Sequence, residues 1–265
     1  MGEEVSKYPS EAKTLLAAAY PTPGAFAAGG AVTSVFTEKP INDVDVYFRT
    51  QRAFEEAVIG AYEDGYWCVA ASRRAVTFSD GGRIVQYMHF GFFDTPSDIF
   101  AAFDFTVCMG AYDYDAKEFV LHDDFLRHNS QRFLRFNPGT RFPLASATRV
   151  LKYQQRGYTI GKGDVLKIAL ACRGVKIDSW EELKDQIGGA YGEKVVIENE
   201  NKPFSLEAAI EALTVADDGS DAWIVAANDN MPGTGIDLLR HLASLKGETF
   251  DESRFDEDGY LKEAA

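Results

Sequence analysis

Apolar and polar residues alternate along the first half of the chain in a pattern that predicts strands separated by short helices. Asp43-Val-Asp-Val-Tyr-Phe48 alternates strictly, which is typical of a half-buried strand. Thr50 precedes apolar residues at helical spacing and predicts a capped helix over 51–63. Asp80-Gly-Gly82 lies between two apolar runs and predicts a hairpin turn, because glycine adopts positive φ easily. The strand and hairpin signals together predict a small mixed sheet.

A predicted strand over 104–112 closes this half, and from residue 123 the pattern becomes mostly helical. Spacings typical of capping boxes begin at Ser179 and Thr234, and Ser205 can cap a helix over 206–213. The sequence therefore predicts an α+β protein: a small mixed sheet with helices on one face, followed by a helical C-terminal region. We expect a catalytic core over 1–122, a helical region over 123–247, and an acidic, mobile tail over 248–265. Phe250, Phe255 and Tyr260 are the tail residues able to dock instead.

Composition excludes several classes of protein. Of the 265 residues, 46% are hydrophobic and 13% are aromatic, which excludes an intrinsically disordered chain. Its 3 cysteines have no spacing typical of zinc ligands or of a disulfide framework. No apolar run reaches the roughly 18 residues of a membrane-spanning helix. We expect a cytoplasmic protein with no membrane partner and no obligate protein partner.

Charge is distributed very unevenly. The net charge is −14, yet residues 127–176 contain eleven Lys and Arg residues against one acid, Asp164. This basic block needs anions nearby, either the acidic flanks of the protein or a phosphate-bearing ligand. Both readings are open from charge alone.

The residues most suggestive of chemistry are Gly29-Gly30 and, after a gap of 12 residues, Asp43 and Asp45. Side chains at i and i+2 on a strand point the same way, so the two carboxylates lie side by side. Adjacent hard oxygen ligands suit Mg²⁺, which takes its remaining ligands from water and substrate phosphates. The glycine N–H groups have no side chains in the way, so they can approach phosphate oxygens.

Asp104 is the candidate third carboxylate, which would complete a site for one or two Mg²⁺ ions, with Mn²⁺ as a substitute. It lies between Phe103 and Phe105, where a charge is costly unless a cation or hydrogen bonds meet it.

A helix predicted from Pro143 to Gly157 adds positive charge. Its spacing places Ser146, Arg149, Lys152 and Arg156 on one face, which we expect to meet a triphosphate. The opposite face, which we expect to pack, contains Leu144, Ala147, Val150 and Leu151.

The spacing of the glycine pair, the Asp-x-Asp strand and a later Asp resembles the DNA polymerase β-like nucleotidyltransferase superfamily. Asp104-Phe-Thr-Val-Cys is similar to the Asp-Phe-Thr-Ile-Asn segment of the tRNA nucleotidyltransferase and poly(A) polymerase head branch. The resemblance covers roughly 24–156. This chain departs from that branch in having Val32-Thr33-Ser34 after the glycines, Cys108 in place of Asn, and no base-reading motif.

The resemblance implies transfer of a nucleoside monophosphate from an NTP such as ATP to a hydroxyl, with release of pyrophosphate. Asp43, Asp45 and Asp104 would be the catalytic and metal-binding residues. The nucleotide would contact Gly29, Gly30, Ser34, Arg149, Lys152 and Arg156. The basic block favours an RNA 3′ end, tRNA included, as acceptor, with a protein side chain or a small molecule also open. The alternative is a non-catalytic nucleotide- or RNA-binding module on the same fold.

Overall fold

A computed structural model describes residues 23–79, 81–82, 84–187, 195–197, 201–215 and 231–262. Ser10 can cap a short helix over 11–20, and that stretch, predicted from the sequence, lies outside these ranges. The described helices, in chain order, are α1 (Gly30–Phe36), α2 (Gln51–Glu63), α3 (Phe125–Ser130), α4 (Pro143–Gln155), α5 (Lys162–Arg173), α6 (Trp180–Ile187), α7 (Leu206–Ala212) and α8 (Gly235–Lys246). The strands are β1 (Ala25–Ala28), β2 (Asp43–Phe48), β3 (Trp67–Ala71), β4 (Ala75–Ser79), β5 (Ile84–Met88), β6 (Gly110–Asp113), β7 (Glu118–Leu121), β8 (Phe133–Leu134), β9 (Thr159–Ile160), β10 (Val195–Ile197) and β11 (Leu213–Val215).

The chain divides into two compact units that interleave along the sequence. The first unit takes in Met1–Phe100, Cys108–Phe125 and Ile224–Ala265. The second consists of Ala101–Val107 and Leu126–Trp223. The division expected from the sequence, at 122 and at 247, therefore differs from the one found. The chain returns to the first unit after residue 223.

The first unit is built on a mixed sheet. Among the described residues its seven strands have the order β3-β4-β5-β2-β1-β6-β7. The β2–β5 pair is parallel, and the other neighbouring strands are antiparallel. The predicted hairpin is present, with β4 and β5 paired from Ala75↔Met88 to Ser79↔Ile84. This arrangement confirms the α+β class and the mixed sheet.

Strict alternation in β2 separates the two faces of the sheet. Val44, Val46 and Phe48 belong to the hydrophobic core, which also contains residues of α1, α2 and α8. The Thr50 hydroxyl accepts a hydrogen bond from Ala53 N at 3.1 Å and starts α2 as predicted. Asp43 and Asp45 consequently lie on the face of β2 turned away from this core.

The acidic C-terminal segment docks on the first unit rather than forming a free tail. A 3₁₀ turn over Glu252–Arg254 leads into Phe255, which is 4% exposed and part of the core. Both Arg254 amino groups donate to the buried carboxylate of Glu55 on α2, at 2.9 and 2.5 Å. Of the two expectations for this segment, docking is the one observed over 250–262.

The second unit is mostly helical, as the pattern predicts. The Ser179 hydroxyl accepts from Glu182 N at 3.1 Å, and the Ser205 hydroxyl accepts from Ala208 N at the same distance. Two short pairs of strands, β8–β9 and β10–β11, accompany the helices. Local capping signals therefore placed these helix starts well.

The strand predicted over 104–112 was wrong for its first half. Thr106–Cys108 forms a 3₁₀ turn, and only Gly110–Asp113 enters the sheet. Asn137 N donates to the Asp104 carbonyl at 2.7 Å, and Thr106 N donates to the Arg135 carbonyl at 3.1 Å. Segment 104–106 therefore pairs with 135–137 in the second unit, which ends its extension along the sheet.

The expected packing face of α4 was also wrong. Ser146 is fully buried, and Tyr153 is 3% exposed, whereas Leu151 is 58% exposed. Ser146 is small, and its hydroxyl donates to the Phe142 carbonyl within the helix, so it packs closely without an unsatisfied group. The face bearing Ser146, Arg149 and Tyr153 is thus the one that packs.

Candidate functional site

Asp43 and Asp45 present two carboxylates on one face of β2, as predicted. Each is partly exposed, while the intervening Val44 and the following Val46 are buried. The parallel strand β5 places Gln86 opposite Asp45. The first unit therefore brings together two hard oxygen ligands beside a polar amide, at a position that solvent reaches.

The glycine pair lies at the end of the strand next to Asp45. The register Ala27↔Val46 puts the next residue of β1, Ala28, beside Asp45, and Gly29 follows directly. Gly29 has φ of 86°, a conformation that favours glycine, and its N–H donates to the Gly110 carbonyl at 3.0 Å. Gly30 is exposed, and a Cβ built on it would meet nothing within 4 Å. Backbone at Gly30 is thus open to a ligand, and the Gly29 N–H is already used.

Ser34, on the same helix as Gly30, is 7% exposed. Its backbone carbonyl accepts from Lys39 N at 2.9 Å and so helps to end α1. Burial leaves the Ser34 side chain far less available to a ligand than Gly30.

Asp104 and Arg149, predicted for separate tasks, bind each other within the second unit. Arg149 Nη1 donates to Asp104 Oδ1 at 3.0 Å. The Asp104 side chain is 3% exposed and the Arg149 side chain 37% exposed. Arg149 also stacks on the Tyr153 ring, with Cζ 5.8 Å from its centroid. The cation that a buried carboxylate requires is therefore supplied by the protein.

Lys152 and Arg156 lie on α4 and just after it. Lys152 is half-buried and Arg156 is exposed. The five nominated residues of the first unit are Gly29, Gly30, Ser34, Asp43 and Asp45; Asp104, Arg149, Lys152 and Arg156 belong to the second. Convergence of all three carboxylates stays a prediction.

A buried polar network beside Asp104 was not predicted as such. Thr106 Oγ1 lies 2.7 Å from His128 Nδ1, and Asn129 Nδ2 donates to the Val107 carbonyl at 3.0 Å. The Tyr158 hydroxyl donates to Asn129 Oδ1 at 2.6 Å. These bonds fix the residues that follow Asp104. The bonded residues lie 22 and 29 positions apart in the sequence, too far for any periodicity to reveal the contacts.

Part of the basic block is balanced internally. Asp164 is 3% exposed and lies within 3.1 Å of Arg135 and 3.6 Å of Lys167. Its other carboxylate oxygen accepts from Phe136 N at 3.3 Å. The sequence signal for this charge-balancing role is that Asp164 is the single acid in a long basic block.

The described residues of each unit include neither a three-ligand metal site nor a membrane-spanning helix. Within each unit, no group of three or more His, Cys, Asp or Glu side chains is placed to hold a metal ion. Among the described residues of the first unit, the two carboxylates of β2 are thus the candidate metal ligands. In the same part of the chain, no helix is both long enough and apolar enough to cross a bilayer.

Comparison with known proteins gives a family similarity for the N-terminal half. The family model described as Gabija anti-defense 2 family protein matches residues 6–132. The protein "Gabija anti-defense 2" of Bacillus phage SPbetaL7 is 38% identical over 248 residues, which is 91% of this chain. This chain spans 62% of the length of that relative.

Solved structures give a lower similarity. A tRNA-processing enzyme solved with CTP is 16% identical with a TM-score of 0.46, over 56% of this chain and 43% of that one. The Thermotoga maritima CCA-adding enzyme complexed with tRNA is 14% identical with a TM-score of 0.45, over 56% of this chain and 38% of that one.

Proposed function

We propose that this chain is a Gabija anti-defense 2 protein that works as a metal-dependent nucleotidyltransferase. The anti-defense role rests on the 38% identity to the phage protein of that name. The catalytic role rests on one observation above all, the side-by-side carboxylates of Asp43 and Asp45 next to an open glycine turn.

The residues on β2 fit a magnesium ion. Carboxylate oxygens are ligands that Mg²⁺ prefers, and Asp43 and Asp45 present them at adjacent same-face positions that solvent reaches. Bound there, Mg²⁺ would neutralise phosphate charge and favour the attacking form of the acceptor hydroxyl. Asp43 and Asp45 would hold it, and Gly30 would let the phosphates approach the backbone.

Arg149 can serve two partners at once. A guanidinium has five N–H donors; Arg149 Nη1 donates to Asp104 Oδ1 at 3.0 Å, and Arg149 Nη2 donates to the Tyr153 hydroxyl at 3.5 Å. The Arg149 side chain is 37% exposed and would, with Lys152 on the next turn of α4, bind the β- and γ-phosphates of an NTP. Asp104, held by Arg149, would help to activate the acceptor hydroxyl for attack on the α-phosphate, and pyrophosphate would be released.

The test is transfer of label from each NTP in turn, with Mg²⁺ and total cellular RNA or lysate as acceptor. We expect one NTP to label one acceptor class, RNA being favoured by the basic block. Asp43→Asn and Asp45→Asn should each abolish transfer, since each removes a metal ligand. Asp94→Asn is the matched control, because Asp94 is an exposed acid of the same unit. Equal activity in all four proteins would overturn the catalytic proposal.

A second function, nucleotide or RNA binding without catalysis, is favoured by the Asp104–Arg149 contact. A carboxylate already neutralised by arginine is a weaker metal ligand than a solvated one. Under this alternative, calorimetry would detect NTP binding while no acceptor became labelled. Binding would then also survive Asp43→Asn.

The anti-defense role needs its own test. We expect that the chain, produced in bacteria carrying the Gabija defence, restores plating of a phage which that defence blocks. If Asp43→Asn abolishes the effect while Asp94→Asn retains it, the carboxylates and the anti-defense role are linked. If both variants restore plating, the role does not use this site.

A further inference from the structure

Helix α5 exposes an apolar row bordered by basic residues. Val165, Leu166 and Leu170 are 47%, 64% and 67% exposed, and Leu166 and Leu170 share one face at i and i+4. The charged residues at its surface are all basic: Lys162, Arg173 and Lys167, the last of which also lies 3.6 Å from the Asp164 carboxylate. Its single acid, Asp164, is buried. We refer to these three apolar and three basic residues as the basic apolar face.

Helix α7 exposes the opposite combination. Leu206 and Ile210 are 69% and 65% exposed, again at i and i+4, and Leu213 directly after the helix is 40% exposed. Glu207 and Glu211 are exposed beside them, and α7 contains no Lys or Arg. These five residues form the acidic apolar face.

Single exposed leucines are ordinary on protein surfaces, whereas contiguous exposed apolar patches with a polar rim mark interaction sites. Each row exposes two large side chains by more than 60% within one helical turn. The borders carry opposite charge, so the two faces complement each other in both apolar character and sign. An RNA backbone would match the basic border of α5 but would leave its leucines in water.

We propose that two copies of this chain associate by packing the basic apolar face of each against the acidic apolar face of the other. Such an exchange has twofold symmetry, because residue i contacts residue j and residue j contacts residue i, so the contact forms twice and closes. The net charge of −14 opposes association at long range. Physiological salt screens that repulsion beyond about 8 Å, while the local charge pairs act at contact.

The first test removes apolar contact. Sedimentation of the full chain at physiological salt should show a dimer whose dissociation constant rises at least about tenfold in Leu166→Ser and in Ile210→Ser. Leu126→Ser is the matched control, since Leu126 is a 47% exposed leucine of α3 outside both faces. The control should associate like the wild type. If it weakens association equally, the two faces are not the interface.

The second test reverses charges. It is designed so that a loss of association cannot be explained by unfolding. Lys162→Glu places an acid at the start of α5, and Glu211→Lys places a base near the end of α7. Both reversals favour their own helices through the helix dipole. Each variant alone should be mostly monomeric, because like charges then face each other in its homodimer.

Mixing the two variants should restore the dimer, since every facing pair is again of opposite charge. A mixture that stays monomeric would overturn the pairing of α5 with α7. A wild type that is monomeric at all concentrations would overturn the proposal outright. Binding of that monomer to phosphatidylserine vesicles, lost in Leu166→Ser, would assign the α5 face to a lipid surface instead.

Discussion

Arg149 links a buried carboxylate to a surface that a ligand can reach. Both residues of the Asp104 pair were singled out from the sequence, yet their contact was not, because 45 residues separate them and no local pattern records such a pairing. The Asp43 and Asp45 arrangement, by contrast, follows from strand periodicity and was predictable. At this scale the sequence reveals which residues carry chemistry but not which of them neutralise one another.

Removing the guanidinium should leave Asp104 buried without its cation. We expect Arg149→Ala to lower the free energy of unfolding by about 1.5–2 kcal/mol, the lower part of the range for charged hydrogen bonds, because Arg149 is partly solvated. Urea titration measures this. Adding Asp104→Asn should recover part of the loss, since an amide needs no counter-charge. Arg156→Ala, at an exposed position, should have little effect. Purely additive losses in the double variant would show that the two side chains are not coupled.

His89 is buried against Phe54 with its Nε2 atom 3.0 Å from the Ser72 carbonyl. Its Nδ1 atom has no hydrogen-bond partner among the described residues. Burial, and secondarily the charge of Lys246, lower the pKa of His89 from 6.5 to about 4. The unfolded chain therefore binds a proton between these values that the folded protein does not.

Because the unfolded state takes up that proton, His89 should reduce stability as the pH falls from 6.5 to about 4. The loss attributable to this side chain is roughly 3 kcal/mol over the window. His89→Gln, which does not titrate, should show a shallower fall in the free energy of unfolding than the wild type. Urea titrations at several pH values give both slopes. Parallel slopes would mean that His89 titrates normally in the folded protein.

Among the elements, those with local signals were predicted well and those fixed by distant contacts were not. Strand β2, helix α2 and the caps at Ser179, Ser205 and Thr234 follow from alternation, spacing and hydroxyl placement. The strand expected over 104–112 fails where 104–106 pairs with 135–137. The packing face of α4 was predicted wrongly because serine is polar and its position was therefore expected to be exposed, whereas Ser146 is buried.

Helix α8 lies very close to α2 at Gly235. A Cβ built there would be 2.8 Å from Ile59 Cα, a backbone atom that cannot turn aside. Gly235→Ala should therefore lower the free energy of unfolding by about 1–3 kcal/mol, the range for overpacking. Gly163→Ala in α5 is the control, with nothing within 4 Å of the new Cβ. It should be neutral or stabilising, because alanine favours helix. Thermal unfolding compares the two, and equal stability would show that α8 shifts freely.

Substitution of Lys152 tests whether α4 contacts the phosphates of an NTP. Lys152→Ala should weaken NTP binding by about 1.5–3 kcal/mol, as for other hydrogen bonds to charged groups, with little change in melting temperature. Calorimetric titration with the NTP and with the matching nucleoside measures the difference. The nucleoside should bind both proteins equally, since it lacks phosphates. Equal loss for both ligands would show that the helix does not contact the phosphates.

Across the whole molecule, the C-terminal segment is where composition misled most. An acidic stretch without apolar periodicity predicts a mobile tail, yet isolated aromatic residues are enough to anchor it. Phe255 enters the core, and its ring stacks on Phe250 with centroids 5.2 Å apart. The helical character of the middle of the chain was predictable, whereas the return of residues after 223 to the first unit was not, since only tertiary contacts reveal it.

Phe255→Ala should remove a substantial part of the stability of the first unit. Truncating a buried phenylalanine costs about 3–5 kcal/mol from lost burial and the cavity left behind. Tyr260→Ala is the control, because Tyr260 is 46% exposed in the same segment. Urea unfolding should separate the two variants clearly. Similar midpoints for both would show that the segment contributes no core packing.

The interleaving of the two units has a consequence for synthesis on the ribosome. The strands of the first unit emerge early, but Leu238, Leu239 and Leu242 of its core are translated only after the whole second unit. Until then, the part of this core that α8 covers stays exposed, a state in which nascent chains aggregate or recruit chaperones. The second unit can finish folding while the first unit is still incomplete. The unit that leaves the ribosome first is therefore the last to be completed.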